Sequence, residues 1–348
     1  MASARFRAGL IGCGFFATNH LHSWKALADD VDLVAVCDMD GAKAANAAAT
    51  FGVPRSYTDA RAMLAAEKLD FVDIVTTMPS HRGLVLLAAE HKVPTIVQKP
   101  FAPTWQECVD MVEACKAAGI PLMVHENFRF QAPMLEVDRV LRSGAIGELT
   151  WARLTWRTGY DVYAGQPYLA REKRFILLDL GIHVLDIARV FMGEVAHLSA
   201  ETQSIKPGIA GEDMATIMMR HTNGAVSVVD CTYQAKRDPD SFPETLLEIE
   251  GREGSLILSA GLQLRVTTRK GGTEQRHVGT PLLSWTSEPW HVAQESVLNT
   301  QRHWVECLKA GREPATSGAD NLKTYALAEA AYLAAAERRA VVPIAWQG

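Results

Sequence analysis

The sequence contains no apolar run approaching the roughly 18 residues that a bilayer-spanning helix needs, so no membrane segment is expected. Its six cysteines, Cys13, Cys37, Cys108, Cys115, Cys231 and Cys307, show no CxxC spacing. That excludes the common zinc and dithiol motifs, and the six are expected to be reduced and mostly buried. There is no excess of positive charge: 35 Lys and Arg stand against 40 Asp and Glu, a formal net charge of −5. A nucleic-acid partner is therefore not expected. No HExxH motif is present, and His81, His125, His183 and Asp179 show no metal-ligand spacing, so no metal is expected. Internal repeats and low-complexity tracts are absent apart from Ala-rich helices. Arg5 and Arg7 precede an apolar run as a secretory leader would require. That run reads better as a strand entering a Gly-rich turn, so the expected location is cytoplasmic.

What remains is a chain of 348 residues, 48% apolar and 22% charged, with a length that favours two domains. Residues 6–125 alternate short β-rich runs with helical runs. "RAGLIG", "VDLVAVCD", "FVDIVTTM", "TIVQK" and "PLMVHE" read as strands. Helices such as "DGAKAANAAATFG" and "TWQECVDMVEACKAAG" separate them and stop at Gly52 and Gly119. Short apolar strands between helices describe a doubly wound parallel sheet covered on both faces. The pattern changes near residue 126. After the helices at 132–147 and 177–192 come consecutive strands joined by short turns, including the Asn-Gly turn in "HTNGAV". Residues 268–281 read as an exposed loop or edge, and two helices near 292–310 and 318–338 close the chain. The expectation is an α/β Rossmann domain over 1–125 and an α+β domain over 126–348. The second domain is built on a large, mainly antiparallel, open-faced sheet.

"GLIGCGFFA" places Gly12-x-Gly14-x-x-Ala17 directly after a strand and at the opening of a helix. Gly12 permits the tight turn, Gly14 lets the backbone approach a pyrophosphate, and Ala17 lets the helix pack close to the sheet. The helix N-terminus offers N–H groups to phosphate. Asp38 ends the second strand, 24 positions after Gly14. Its carboxylate can accept both adenosine ribose hydroxyls and repels a 2′-phosphate, and Met39 and Asp40 offer that phosphate no cation. The cofactor expected is NAD rather than NADP.

In "LLDLGIHVLD" (177–186), Asp179, His183 and Asp186 fall on one helical stripe at steps of four and three. A solvated face would be rich in Lys, Glu and Gln, and none of these occurs in the stretch. A carboxylate one turn from an imidazole orients it and raises its basicity. Asp186 reads either as a partner of His183 or as a packing acid. In "NFRF", Asn127 and Arg129 alternate with Phe128 and Phe130, as in an extended segment with one pair inward. "LTWRTGYDVYAG" (154–165) carries Trp156, Arg157, Tyr160 and Tyr163 after a strand end, and aromatic and Arg side chains suit a sugar. Trp285, Trp290 and His291 lie in an irregular segment.

Taken in order, the Gly12-x-Gly14 turn, "TTMPSH" (76–81), "QKPFAPT" (98–104), "NFRFQAP" (127–133), "SGAIGELT" (143–150) and "DLGIHVLD" (179–186) resemble the Gfo/Idh/MocA family of oxidoreductases over nearly the whole chain. Gln98 stands where Glu is usual, Ala17 replaces the third Gly, and Phe15 and Phe16 fill the turn. The resemblance implies an NAD site lined by Phe15, Phe16, Asp38, Thr77, Met78, Pro79, His81, Gln98, Lys99 and Asn127, with Gly12 and Gly14. It also implies a reacting carbinol surrounded by Lys99, Asp179 and His183, with the polar stripe facing a substrate pocket between the domains. Asn127, Arg157 and Tyr160 are further substrate candidates. The activity implied is NAD-dependent oxidation of a sugar or polyol hydroxyl by a homodimer or homotetramer. "HENFRFQAP" and "GYDVYAGQPYL" resemble members of the family that act on the pentose D-apiose. A redox-neutral glycosidase using NAD only transiently, or a non-catalytic NAD-sensing regulator, would share the same fold. Stoichiometric release of reduced cofactor separates the dehydrogenase from the glycosidase, and retention of Lys99, Asp179 and His183 together argues against the regulator.

Overall fold

The computed structural model describes residues 5–348, and its contacts divide the chain into two units. The first comprises the chain up to Asn127 together with Gln294–Leu322 and Trp346–Gly348. The second comprises Phe128–Ala293 and Lys323–Ala345.

In the first unit the order is β1 (Phe6–Ile11), α1 (Ala17–Ala26), β2 (Val31–Cys37), α2 (Gly41–Phe51), β3 (Arg55–Tyr57), α3 (Ala60–Ala66), β4 (Phe71–Ile74), α4 (His81–Glu90), β5 (Thr95–Gln98), α5 (Trp105–Ala118) and β6 (Leu122–His125). The six strands form a parallel sheet in the order β3-β2-β1-β4-β5-β6. The helix ends follow local chemistry. Asp40 caps α2 by accepting from Ala42 N–H, Thr104 and Glu107 form a reciprocal capping box on α5, and Gly52 and Gly119 end their helices in left-handed conformation. The three-residue β3 and seven-residue α3 carry too little periodicity to be read from sequence.

The boundary expected at 125/126 is corrected in one respect, because the chain returns to the first unit. Val124 N–H donates to Thr316 O at 2.9 Å, and Met123 bridges Ser317. Trp304, fully buried, packs edge-on against Phe71 at 6.0 Å, and Phe71 also meets Trp24 at 5.0 Å. Residues 294–322 thus supply an edge pairing and a large aromatic anchor to this core.

In the second unit come α6 (Ala132–Arg142), β7 (Leu149–Arg157), α7 (Val162–Gly165), α8 (Ile182–Met192), β8 (Val195–Gln203), β9 (Met214–His221), β10 (Val226–Thr232), β11 (Leu246–Gly251), β12 (Gly254–Ser259), β13 (Gln263–Thr268) and β14 (Gly272–His277). The last two helices, α9 (His291–Ala310) and α10 (Gly318–Glu337), each begin in one unit and end in the other. The eight strands order as β14-β13-β12-β11-β7-β10-β9-β8. All pairs are antiparallel except β7 with β10, which run parallel at the centre. β14, within the segment expected as a loop or edge, is the exposed edge strand.

One sheet face carries α8, which is buried almost throughout; the other is open. A single row across the open face reads Ser199, Met218, Val228, Arg153, Glu248, Ile257 and Arg265. That alternation is why the strands were legible: inward positions such as Leu154, Ile217, Val229 and Leu256 are apolar and fully buried.

Two local geometries differ from expectation. Phe128–Phe130 is a 3-10 turn rather than an extended segment, and Leu177–Gly181 is a π-helical turn leading into α8. The wider turn breaks the 3.6 periodicity on which a single helical stripe through 177–186 rests. Asp186 is the packing acid. Fully buried, it is paired with Arg129, whose Nε donates to Asp186 Oδ2 at 2.6 Å, and it accepts from Thr324 Oγ1 at 2.7 Å. Burial alone would raise its pKa; the charge and hydrogen bonds of Arg129, with Arg189 and Thr324, outweigh this and hold it below the ordinary aspartate value.

Removing one partner of a buried pair strands the other charge. Arg129→Met should therefore cost about 3–5 kcal/mol, and Arg129→Met/Asp186→Leu should recover much of that. Because the folded pKa of Asp186 is depressed, its stabilisation is present above the unfolded aspartate pKa of about 3.9 and is lost as pH falls through the folded value. Urea unfolding followed from neutral pH into acid checks both. The double variant should lose less stability in acid than the wild type.

Candidate active site

The residues singled out in the first unit lie at one end of its sheet. Gly12 follows β1, Asp38 follows β2, Thr76–Pro79 follow β4, Gln98 and Lys99 close β5, and Asn127 follows β6. These are the carboxyl ends of parallel strands, and the strand order reverses between β1 and β4, where such sheets hold their ligands.

Gly12 has φ +99°, and a Cβ there would approach Val75 O to 2.5 Å, so only glycine fits. A Cβ on Gly14 would meet nothing within 4 Å. Its value is therefore to leave the approach to the backbone clear. α1 begins at Ala17 without a side-chain cap, which leaves its first N–H groups to serve a phosphate. Asp38 Oδ2 accepts from Cys13 N–H at 2.7 Å and Oδ1 from Asp40 N–H at 2.9 Å, which fixes the carboxylate beside the turn. Burial, then Asp38 and Cys37, push the Cys13 thiol up to about 12, so it stays protonated. Phe15 and Met39 are 89% and 94% exposed, an apolar pair on either side of Asp38's contacts. A glycine cradle, a helix N-terminus, a fixed acid and apolar flanks fit a dinucleotide whose ribose hydroxyls are free of phosphate. Thr77 and Pro79 are exposed and Met78 partly so, on a 3-10 turn at the end of β4.

His81 is placed differently from its expected role. It is fully buried, with Nδ1 3.1 Å from Pro100 O and Phe101 O and Nε2 3.1 Å from Thr76 O. Burial holds its pKa below the ordinary value. It ties the loop after β4 to the loop after β5 instead of presenting a ring nitrogen to a cofactor. Gln98 is buried, and its Oε1 accepts from Lys99 N–H at 2.7 Å. The Lys99–Pro100 bond is cis. The Asn127 amide donates to Ser296 Oγ at 2.7 Å.

In the second unit His183 is buried on the first turn of α8, its ring stacked on Phe128 at 3.7 Å and 4°. Trp156 stacks on the same Phe128 at 5.2 Å. Phe242 meets Trp156 edge-on at 6.3 Å and stacks on Tyr160 at 4.1 Å, and Trp290 closes on both Phe242 and Tyr160. The structure thus brings Tyr160 into one aromatic wall with His183. It does not bring Arg157 there. Trp156 faces α8, so the next residue of the strand faces the open side, where Arg157 Nη1 donates to Asp230 Oδ1 at 3.2 Å. Its placing as a substrate ligand is corrected on that ground.

Asp179, in the π turn, accepts from Tyr233 Oη at 3.4 Å. Burial first and Asp179 next raise the Tyr233 phenol well above its ordinary value. Burial and nearby acids, Asp179 among them, push Tyr163 and Tyr168 up to about 12. All three phenols remain donors near neutral pH. Tyr233 and the Phe128 platform were not foreseen. A tyrosine just after a β-strand carries no sequence signal, and Phe128 reads as packing. Asp73, an acid inside the apolar run "FVDIV", does carry a sequence signal.

Two family models cover most of the chain: "Oxidoreductase family, NAD-binding Rossmann fold" matches residues 6–126, and "GFO/IDH/MocA C-terminal domain" matches residues 134–257. The chain is 53% identical to a D-apiose dehydrogenase of Paraburkholderia graminis over 97% of its length and 89% of the relative's. It is 52% identical to a D-apiose dehydrogenase of Rhizobium rhizogenes over 98% of both. A crystal structure of an oxidoreductase from Agrobacterium radiobacter in complex with NAD+, L-tartaric acid and magnesium superposes with a TM-score of 0.95 at 51% identity. That match covers 97% of this chain and 98% of the other. Levoglucosan dehydrogenase in complex with NADH shares the fold at a TM-score of 0.87 and 23% identity, over 98% of this chain and all of the other. With its glycine turn and fixed Asp38 at the strand ends, this chain belongs to the Gfo/Idh/MocA oxidoreductase family, whose first domain is an NAD-binding Rossmann fold.

Proposed function

We propose that the protein is an NAD-dependent dehydrogenase that oxidises a hydroxyl of D-apiose. The observation that carries the reaction type is the joint presence of an NAD-adapted glycine turn with Asp38, a strand-end Lys99, Asp179 in the turn before α8 and His183 on the first turn of α8. The observation that carries the sugar is identity above 50% to two D-apiose dehydrogenases over nearly the full chain.

Bound NAD supplies the hydride acceptor. The chain's own residues manage the proton and the charge. His183 is the group suited to remove the hydroxyl proton, since imidazole is the side chain that most often serves as a general base. Stacking on Phe128 fixes the plane of the ring, so its nitrogens keep one direction through the reaction. Asp179 stabilises the imidazolium that forms, and Tyr233 holds Asp179. Lys99 donates to the same substrate oxygen and favours developing alkoxide charge. Tyr160, Phe242 and Trp290 offer apolar faces to the C–H surface of a sugar, with phenol and indole edges for its hydroxyls. The open sheet face, with Met218, Val228, Ile257 and half-covered Trp151 among charged neighbours, supports pairing with a second copy of the chain.

A panel of aldoses, polyols and sugar acids with NAD, read at the reduced-nicotinamide absorbance, should give its highest kcat/KM with D-apiose. A higher value with an inositol or a hexose would replace the substrate. Release of reduced cofactor well below stoichiometric yield would instead favour the redox-neutral reading.

NAD should be preferred to NADP, and Asp38→Ser/Met39→Arg should narrow or reverse the preference. Equal kcat/KM with the two cofactors in the wild type would remove the Asp38 argument.

His183→Asn should lower kcat by at least about a hundredfold. NAD affinity should stay near normal, because the residues fitted to NAD all belong to the first unit. Lys99→Met should cost as much or more, since charge stabilisation in a dry site is often the larger effect. Single-turnover hydride transfer in His183→Asn is the deciding measurement; near-normal transfer would assign the base to Lys99.

A further inference from the structure

Gln98 is one link in a buried polar chain that begins on α1. His20 is fully buried, and its Nδ1 lies 2.8 Å from Asp73 Oδ2. Its Nε2 lies 3.0 Å from Gln98 Nε2, and Gln98 Oε1 accepts from Lys99 N–H at 2.7 Å. Asp73, also fully buried, accepts on the same oxygen from Trp24 Nε1 at 2.8 Å and Gln301 Nε2 at 3.4 Å. The His125 ring lies on His20 with centroids 4.3 Å apart, and Phe16 meets it edge-on.

The donors in this chain have one consistent direction. The Asp73 carboxylate only accepts, so His20 Nδ1 carries a proton. In a neutral ring Nε2 is then a lone pair and needs a donor, which the Gln98 amide supplies. The amide oxygen is left to accept from the Lys99 backbone. Turning the Gln98 amide over would set its NH2 against the Lys99 N–H and its oxygen against a lone pair, so the orientation is determined. A glutamate at 98 has no N–H. It could meet Nε2 only if that nitrogen were also protonated, which would make the ring an imidazolium between two carboxylates. Gln98 and a neutral His20 are therefore matched to each other.

We propose that His20 is a positioning residue for Lys99, acting through Gln98. It holds the peptide at the end of β5, from which the flexible four-carbon Lys99 side chain departs. A small shift at that root becomes a larger one at the ammonium. The inference rests on the catalytic reading of Lys99 given above.

Two substitutions separate this from a merely structural histidine. In His20→Asn the short amide can donate to Asp73 but does not reach Gln98. In His20→Gln the longer amide can accept from Gln98, while Asp73 keeps Trp24 and Gln301. Positioning predicts that His20→Asn lowers kcat by about 10- to 100-fold, a usual cost of a displacement near 1 Å, with KM little changed. His20→Gln should stay close to wild type. The reverse order, with His20→Gln impaired or thermally destabilised and His20→Asn normal, would assign His20 to folding alone.

In a Lys99→Met background, His20→Asn should add almost nothing. The same fold loss in both backgrounds overturns the positioning role while leaving Lys99 catalytic, whereas a fully active Lys99→Met enzyme overturns the reading of Lys99 itself. Ring nitrogen shifts supply a readout independent of activity and, in the wild type, of whether any variant folds. The wild-type ring should be the neutral Nδ1–H form near neutral pH, and Gln98→Glu should convert it to the doubly protonated form. The titratable groups facing it are Asp73 and His125; Trp24, Phe16, Gln98 and Gln301 carry no charge. A wild-type ring protonated on both nitrogens, or one unchanged by Gln98→Glu, would overturn the proposal.

Discussion

The reversal of strand order between β1 and β4 is the constraint on which the first unit depends. Chains leaving neighbouring strands at that point turn to opposite faces of the sheet, and the space between them is bounded by backbone N–H groups and by whatever follows each strand. Gly12 is obligatory because the turn after β1 passes within van der Waals reach of Val75, the residue after β4. Asp38 is fixed because its two oxygens take the N–H groups of Cys13, in the loop after β1, and of Asp40, in its own loop. His81 then joins the loops after β4 and β5 through three carbonyls. The loops that would contact a cofactor are thus held by each other as well as by the strands, which is what a site requires if it is to be rigid without being sheet.

The second unit solves a different problem. A helix packed on a sheet is expected to be apolar on its buried side, yet α8 and the turn before it bury His183 and Asp186. Asp186 is satisfied by Arg129 and Thr324, and the ring of His183 lies on the flat face of Phe128. Arg129 and Phe128 are adjacent on one 3-10 turn, so a single short segment both neutralises the helix and sets the plane of the imidazole. The π turn ahead of α8 places Asp179 among phenols rather than in the helix core.

Where sequence reasoning worked, the signal was local. The strand–turn–helix at Gly12, the acid at the end of β2, the helix stops at Gly52 and Gly119, and the two-residue alternation of the antiparallel strands are each decided by neighbours within a few positions. Where it failed, the deciding contact was distant. The parallel pairing of β7 with β10 joins residues more than 70 positions apart. The return of 294–322 to the first core depends on Phe71 and Val124. Arg157 could not be assigned a side until the register of β7 was known, since a shift of one residue exchanges the faces. The 3-10 turn at 128–130 and the π turn at 177–181 are one-turn departures that a periodicity argument averages away.

Asp73, Asp179 and Asp186 show what such an argument can still recover. All three are acids within apolar stretches, "FVDIV" and "LLDLGIHVLD", and none belongs there on burial energetics unless donors surround it. The donors separate them. Asp186 is held by an arginine and a threonine, which makes a saturated ion pair, suited to packing. Asp73 is held by an indole, an amide and an imidazole, and that imidazole leads on to Gln98. Asp179 is met by Tyr233, a phenol whose proton stays on oxygen because of its burial first and the nearby acid second. An acid in an apolar run is thus a dependable sign that something is built around it. The chemical type of its donors, which only the fold reveals, decides what that something is.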